Sequence, residues 1–517
     1  MTFIADLHIH SHFSRATSRD LIPELLALWA RKKGITVVGT GDCTHPGWMS
    51  ELQEKLVETE NGLYQLKPDL QKTVQSRIPV SCQGPARFLL SCEISCIYKR
   101  GGKTRKVHNL ILLPDFETAF RLNERLERVG NVRSDGRPIL GLDSRDLLEM
   151  VLSVTDRAFF IPAHIWTPWF SLFGSKSGFE TIEECFDDLT PHIHALETGL
   201  SSDPNMNRCL SPLDEYLLVS NSDAHSPAKL GREANIFDTP LDYDLMVAAM
   251  AHQQGFEGTI EFFPQEGKYH FDGHRKCQVR LHPRETTGYE GICPACGKPL
   301  TIGVLHRIYT LSDRDTPQVS KNFHSLIPLP EILSEILGCG ASAKRVLSSY
   351  EALLESLGPE LHILMAAPLE DIEKAGGPVL AEAIRRMRRN KVICEEGYDG
   401  EYGTIRLFDP SEISALSGQI GLFCETSEKA PRKSERPPLK KTRSRKTAPV
   451  PAEEKKQVSD PILDPLNTEQ KQAVLHQGGH LLIVAGPGTG KTMTLTHRIA
   501  YQIHSGQAQP EQVLALT

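Results

Sequence analysis

Thr2-Phe-Ile-Ala-Asp-Leu-His-Ile-His-Ser11 decides the fold. A short apolar run, 3–7, delivers His8 and His10 immediately after it. The same arrangement recurs outward along the chain. Asp42 and His45 follow the run 35–39, Glu93 closes 88–93, and His108 opens 107–113. His164 follows 159–163, and Asp223 and His225 follow 216–220; a further run is 194–198. The runs are short and apolar throughout, as parallel strands covered on both faces are. Helical patterns separate them at 21–33, 115–129 and 143–154, the last with Asp143 placed as an N-cap. This alternation predicts an α/β fold, a parallel barrel or an open sheet, with the His, Asp and Glu side chains at strand C-terminal ends, where such barrels build their sites. Imidazole and carboxylate ligands together suit divalent Zn, Mn or Fe. The nine residues His8, His10, Asp42, His45, Glu93, His108, His164, Asp223 and His225 are too many for one ion. Glu93 is placed to bridge two, with His8, His10, Glu93 and Asp223 as the catalytic set for attack on a phosphate ester.

At 517 residues the chain is long enough for three or four domains at ~100–200 residues each. Hydrophobic residues make up 39%, too many for a disordered chain. No apolar run approaches the ~18 residues of a membrane span, and the first residues lack the order of a signal peptide, so a cytoplasmic protein is expected. Net charge is −7, which excludes a uniformly basic nucleic-acid binder. Residues 425–460 hold eleven Lys/Arg against six Asp/Glu, so the rest of the chain carries about −12. DNA contacts outside that stretch must come from local basic patches.

His274-x2-Cys277 and Cys293-x2-Cys296 are two ligand knuckles fifteen residues apart. Four closed ligands with no added acid predict one structural zinc; His282 competes with His274 for the fourth position, and symmetry favours His274. In 378–391, Arg385, Arg388 and Arg389 fall at i, i+3 and i+4, a face suited to phosphates. The Gly/Tyr-rich turn 398–406 carries Tyr402 and Arg406, an aromatic and a cation for DNA.

The segments DLHIHS, GTGD, VHNL, PAHIW and NSDAH resemble the PHP (polymerase and histidinol phosphatase) family of metal-dependent phosphoesterases. The resemblance implies a distorted seven-stranded (β/α)7 barrel with two or three divalent metals (Zn, Mn or Mg). Two departures bear on the third metal. Only His12 follows the His-x-His closely, and the usual Asp-His of the second motif is Asp42-Cys43, with His45 two residues on. With the CPACGK ribbon, FHSLIPLPEIL and GYDGEYGTIR added, residues 1 to about 410 resemble the endonuclease Q family. That resemblance implies nicking of damaged duplex DNA 5′ to deaminated bases (uracil, hypoxanthine, xanthine) or abasic sites.

Near the C-terminus, Ala485-Gly486-Pro487-Gly488-Thr489-Gly490-Lys491-Thr492 is a Walker A loop for ATP and Mg²⁺. Lys491 would reach the β/γ phosphates and Thr492 the Mg²⁺. Upstream, the segment with Gln470 resembles the Q motif of UvrD/Rep-type superfamily 1 helicases, whose Gln contacts adenine. No second RecA-like lobe follows, so a truncated helicase start without unwinding activity is expected. The expected organisation is a barrel at 1–264, a zinc ribbon at 265–310, and a mixed α/β DNA-binding region at 311–423. A disordered basic linker at 424–460 and an incomplete RecA-like P-loop segment at 461–517 complete it. Two other functions are open to such a chain, a phosphatase of small phosphomonoesters and a non-catalytic DNA adaptor for a helicase.

Overall fold

The computed structural model describes residues 2–319, 321–409, 412–413, 463, 466, 468–476, 481, 491–509 and 513. The chain forms two units, Met1–Thr426 and Ser427–Thr517, so the three expected N-terminal segments lie in one compact body. The expected linker 424–460 lies outside the described residues.

The first unit is built on a large mixed sheet. Its strands are β1 (Thr2–Asp6), β2 (Val37–Gly39), β3 (Leu56–Glu60), β4 (Leu63–Leu66), β5 (Arg87–Arg100) and β6 (Lys103–Leu113). Then come β7 (Ile139–Leu140), β8 (Phe159–Pro162), β9 (Ala195–Glu197), β10 (Leu217–Val219), β11 (Ala234–Asp238) and β12 (Phe256–Glu261). β1, β2 and β5 pair in parallel. β5 and β6, however, are one long antiparallel hairpin, and β1 pairs with β11 antiparallel. The parallel reading of the apolar runs is therefore corrected: burial on both faces produces the same continuous run whichever way the neighbour points. The hairpin turns on Gly101-Gly102, both at positive φ (59° and 73°), the two-residue geometry that matches strand twist.

β9 and β10 form a separate parallel pair. Ile165 N donates to the Glu197 carbonyl, tying the end of β8 to β9. The Asn235 amide bonds both backbone groups of Ser220, at 2.9 and 2.8 Å, tying β10 to β11. Alternate strand residues such as Phe3, Ala5, Leu7, Leu110, Ile161 and Val219 make one core with Tyr243 and Met246. Their neighbours Val38, Phe88, Ile111 and Phe160 pack into a second core against the helices. Both faces are thus buried, and the chemistry is left to the strand ends and the inward polar positions.

Helices Pro23–Lys33, Phe116–Leu126 and Ser144–Val154 stand where the periodicity places them, and the Asp143 side chain caps the last. Three further pairs follow: β13 (Asp272–His274) with β14 (Val279–Leu281), β15 (Asn322–Ser325) with β12, and β16 (Ile393–Glu395) with β17 (Thr404–Arg406). Because β15 joins the main sheet, the region beginning at 311 is anchored to the first body rather than separate from it. Its centre is helical, at Leu329–Leu337, Lys344–Leu357, Glu360–Met365, Leu369–Gly376 and Pro378–Arg388. No helix among the described residues is long and apolar enough to cross a membrane.

Candidate active site

The Glu93 carboxylate is the hub of the site. Its Oε1 lies 2.6 Å from His108 Nδ1, 3.0 Å from His164 Nε2 and 3.6 Å from His8 Nε2. Its Oε2 lies 3.4 Å from His10 Nε2 and accepts from Arg137 Nη1 at 3.1 Å. Asp223 Oδ1 is 2.9 Å from His10 Nε2 and 3.9 Å from His8 Nε2. Two triads result, His8/His10/Asp223 and Glu93/His108/His164, each with ligand atoms within 4.8 Å of one another. Neither Glu93 nor His108 sits at a strand end, as the sequence suggests; both are inside the β5–β6 hairpin. An inward-facing strand position reaches the same cavity as a strand end does.

The donor set fits divalent cations. His8 Nε2, His10 Nε2 and Asp223 Oδ1 are buried and lack hydrogen-bond geometry to any described partner. Leaving such an atom unpaired costs ~1–3 kcal/mol, so three aimed at one place mark a site built for an ion. Backbone strain gathers here too: Asp42, His164 and Asp223 hold positive φ of 50°, 32° and 46°. Burial alone would depress His10, but the Asp223 and Asp42 carboxylates outweigh it and raise it to about 9. Burial would likewise raise Glu93, yet His108, His8 and Arg137 hold it well below the carboxylate range. Burial drives His108 down to about 4, so its ring is neutral and ready to ligate.

Two expected ligands do other work. Asp42 stands behind His10: its Oδ1 is 3.1 Å from His10 Nδ1, and its Oδ2 accepts from Ser11 N, Ser11 Oγ and Ser14 Oγ at 2.6, 2.6 and 2.8 Å. Both of its oxygens are thus engaged by His10, Ser11 and Ser14. His45 accepts from Trp48 N as the cap of helix Pro46–Lys55, and its Nε2 is bonded to the Arg133 carbonyl. The short spacing from Asp42 that suggested a ligand is instead that of a helix N-cap. His225 lies beside His10, ring centroids 4.9 Å apart, with Nδ1 2.8 Å from the Asp223 carbonyl, which leaves its Nε2 as the lone-pair nitrogen.

Two residues were missed. Both Glu197 oxygens lie 3.0 Å from His8 Nδ1, and Glu197 also accepts from His164 N and Asn221 Nδ2. It is the last residue of β9, near the end of the run 194–198, and that signal was available. Arg137 comes from a loop with no pattern at all. Glu197→Gln should weaken cation binding by about 10–100-fold, the usual cost of losing the carboxylate behind a ligating His. Metal titration of the apo protein reads this, and an unchanged affinity would reduce Glu197 to a packing role.

In the Cys/His segment, ligand atoms of His274, Cys277, Cys293 and Cys296 lie within 4.8 Å of one another. His282 is used otherwise, since its side chain caps helix Pro283–Gly288 in a reciprocal box with Glu285. The second knuckle is shaped by Cys293 N donating to the Lys298 carbonyl and by Gly297 at φ 71°.

A lesion-specific endonuclease from Pyrococcus furiosus, PfuEndoQ, superposes with a TM-score of 0.69 at 30% identity, covering 83% of this chain and 100% of that one. The chain belongs to the endonuclease Q family. Membership makes it a metal-dependent hydrolase of the endonuclease class. An endonuclease Q solved with a 27-mer duplex substrate carrying an abasic lesion at its active site matches over 80% of this chain and 98% of that one, at 30% identity and TM-score 0.68. The MJ0043 protein of Methanocaldococcus jannaschii is 32% identical over 50% of this chain; the match spans about a third (33%) of that protein's length. The YqxK protein of Bacillus subtilis is 28% identical over 78% of this chain and 98% of its own. Two family models match: the MJ0043 C-terminal domain at 328–391 and the UvrD/REP helicase N-terminal domain at 466–517.

Within the stretch matching the MJ0043 C-terminal domain, the arginine face expected from the spacing of Arg385, Arg388 and Arg389 is only partly exposed. Arg388 is turned inward and donates to the carbonyls of Ile363, Leu364 and Ala367, at the end of helix Glu360–Met365. That expected DNA contact is a structural residue, because open helix-end carbonyls need donors. Arg385 is exposed and paired with Glu382, and Arg389 is exposed. Both line a cavity of about 370 Å³ with Lys391. Tyr402 is 69% exposed, with Lys268 4.6 Å over its ring; Arg406 is half exposed near Glu395. In the second unit, Gln470 lies in helix Thr468–Leu475, and Lys491 and Thr492 begin helix Lys491–His504. Ala485, Gly486, Pro487, Gly488, Thr489 and Gly490 lie outside the described residues.

Proposed function

We propose that this endonuclease Q nicks one strand of duplex DNA 5′ to a deaminated base (uracil, hypoxanthine or xanthine) or an abasic site. The carrying observation is the Glu93-centred double triad in a chain matching a lesion-specific endonuclease over that protein's whole length. The strands around it read as a distorted barrel, with the ribbon and the helical region as its DNA-facing additions. His8, His10 and Asp223 would hold one divalent cation and Glu93, His108 and His164 another, with Glu93 between them. Zn, Mn or Mg in these places, when bound, supplies Lewis acidity toward a phosphodiester. Glu197 and Asp42 hold the His8 and His10 rings in line from behind.

The receptor for the damaged base is a cavity beside the ligands. A cavity of about 390 Å³ is lined by Thr167, Trp169, Phe170, Tyr269 and Tyr402 among others. Thr167 Oγ1 lies 3.3 Å from His164 Nδ1, and the Phe170 ring packs on His108, so cavity and ligands share residues. Aromatic faces stack a base taken out of the helix at ~1–3 kcal/mol each, and a poorly paired base costs less to extrude. His274, Cys277, Cys293 and Cys296 would hold one structural zinc. Gln470 and the loop 485–492 would bind ATP and Mg²⁺.

The test is a nicking assay on a uracil-containing duplex beside the undamaged duplex and a generic phosphomonoester. Uracil opposite guanine should be cut fastest, uracil opposite adenine more slowly, and undamaged DNA not at all. Equal cutting of damaged and undamaged duplexes would replace this reading with a general nuclease. Turnover of the monoester alone would replace it with a phosphatase.

A further inference from the structure

We propose that Trp169 is a wedge: as the damaged nucleotide leaves the helix, the indole enters the vacated place and stacks beside the orphaned partner base. This role rests on the lesion-nicking reading above and deepens it by naming the residue that keeps the duplex open.

Two tryptophans stand three residues apart in His164-Ile-Trp-Thr-Pro-Trp169, and the fold treats them in opposite ways. Trp166 is 1% exposed, and its Nε1 donates to Asn207 Oδ1 at 2.7 Å. Trp169 is 42% exposed. The chain turns inward again at the next residue: Phe170 holds φ 62°, and its ring packs on His108 with centroids 4.9 Å apart. A phenylalanine in the left-handed region costs energy, and it persists only where the surroundings over-determine it.

Those surroundings make the loop stiff. Thr167 Oγ1 donates to the Trp169 carbonyl at 2.9 Å, and Lys176 N to the Pro168 carbonyl at 3.0 Å. His108 N donates to the Phe170 carbonyl at 3.1 Å, which ties the loop to β6. Phe173 N donates to the Ile165 carbonyl, and Arg307, from helix Val304–Leu311, donates to the carbonyls of Phe173 and Phe179. A side chain that displaces a base works best from a backbone that does not yield. His164 opens the same loop, so the indole and the candidate metal centre are joined by one short, braced segment.

The indole stands on the rim of the cavity taken above as the receptor for the base. The Tyr269 ring supports it, 5.8 Å away and at 76°. Tyr402 is the other exposed ring of that rim, but Lys268 Nζ lies 4.6 Å over it. The ammonium suits Tyr402 to a place beside phosphates and leaves the place inside the stack to Trp169.

Extruding a nucleotide opens a gap one base thick and leaves its partner unstacked. Apolar side chains pushed between base steps fill such gaps, and a flat aromatic face stacks on any base without reading its edge. Indole offers the largest such face. Its stacking is worth roughly tenfold to a hundredfold in the equilibrium between stacked and extruded nucleotide. The gain matters most where the damaged base still has a partner to leave.

The test compares single-turnover nicking of two duplexes by the full, metal-loaded chain. One carries uracil opposite guanine; the other carries the same uracil as a bulge with no partner base. Trp169→Ala should lower the rate on the paired uracil about tenfold more than the rate on the bulged one, at unchanged metal content. Trp169→Phe, which keeps a flat ring, should recover most of that difference. Equal slowing on both duplexes would make Trp169 a wall of the base receptor, and no slowing on either would make it dispensable; each result overturns the wedge. A second reading is independent of cutting. Stacking on a base quenches indole emission, so the paired lesion duplex, made resistant by a methylphosphonate at the scissile position, should dim the unaltered protein more than Trp169→Phe. The bulged duplex should show a smaller difference between the two proteins, and equal dimming of both proteins by the paired duplex would overturn the wedge. If the loaded protein cut no damaged duplex while the quenching difference held, the nicking reading would fail and the wedge would stand.

Discussion

Glu93→Gln is expected to lower nicking by on the order of 10³-fold or more and to empty the centre of its cations. The substitution keeps the shape of the side chain and removes its charge. That charge is present in the native protein, since His108, His8 and Arg137 hold the carboxylate well below its ordinary range against the opposing effect of burial. Both oxygens are in use, one toward His108, His164 and His8, the other toward His10 and Arg137. An amide would turn an N–H group toward one of these sets, where a lone pair is needed. Among the described residues no other carboxylate lies within ion-pair distance of imidazole rings of both triads, so neither cation site should survive intact. The Lewis acidity then lost is worth several kcal/mol, and each 1.36 kcal/mol is a factor of ten in rate. Single-turnover nicking and elemental analysis on the same sample read the two effects. Full activity with a full complement of ions would remove Glu93 from the centre and, with it, the bridged arrangement.

Cys293→Ser should cost the ribbon its zinc and its fold while leaving the catalytic cations in place. Cys293 is fully buried, and its thiol belongs to the four-ligand cluster. The segment around it has little else to hold it: β13 and β14 are three residues each. Apparent binding free energies of structural zinc are about 10–16 kcal/mol, and in so small a segment that energy is largely folding energy. The damage should spread to the turn bearing Tyr402. Arg275 N and Thr301 Oγ1 both bond Asp399, and Phe271 N donates to the Gly397 carbonyl. Limited proteolysis between 275 and 300, together with weaker binding of a damaged duplex, is the expected readout. A variant that resists protease and binds DNA normally would make the ribbon dispensable.

The sequence by itself determined the local chemistry. A His-x-His pair after an apolar run, a Glu closing a later run and an Asp-x-His after another are each a few residues long, and His8, His10, Glu93 and Asp223 come together in the fold. The two Cys/His knuckles were equally plain, because tight turns bring side chains close in the chain together in space. Asp143 as a helix cap was visible for the same reason. The expectation of a Walker A loop likewise rests on local sequence alone, and its residues 485–490 lie outside the described residues.

Tertiary structure decided everything that depends on partners far apart in the chain. His8 meets Glu197 across 189 residues, and Glu93 meets Arg137 across 44, so no spacing rule announces either. Strand direction was equally hidden, since two-sided burial selects the same apolar residues for a parallel strand as for the antiparallel hairpin β5–β6. The same distinction separates ligands from their supports. Asp42 and Asp223 are both acids placed after a strand with left-handed backbone, and in sequence they are equivalent. Only the packing of Ser11, Ser14 and Gly136 around the first, and a buried oxygen of the second that lacks hydrogen-bond geometry and faces His10, suit Asp42 to bracing His10 and Asp223 to the ligand role proposed above. Residue type is a property of the chain, but whether a carboxylate's lone pairs are already spent is a property of the folded neighbourhood.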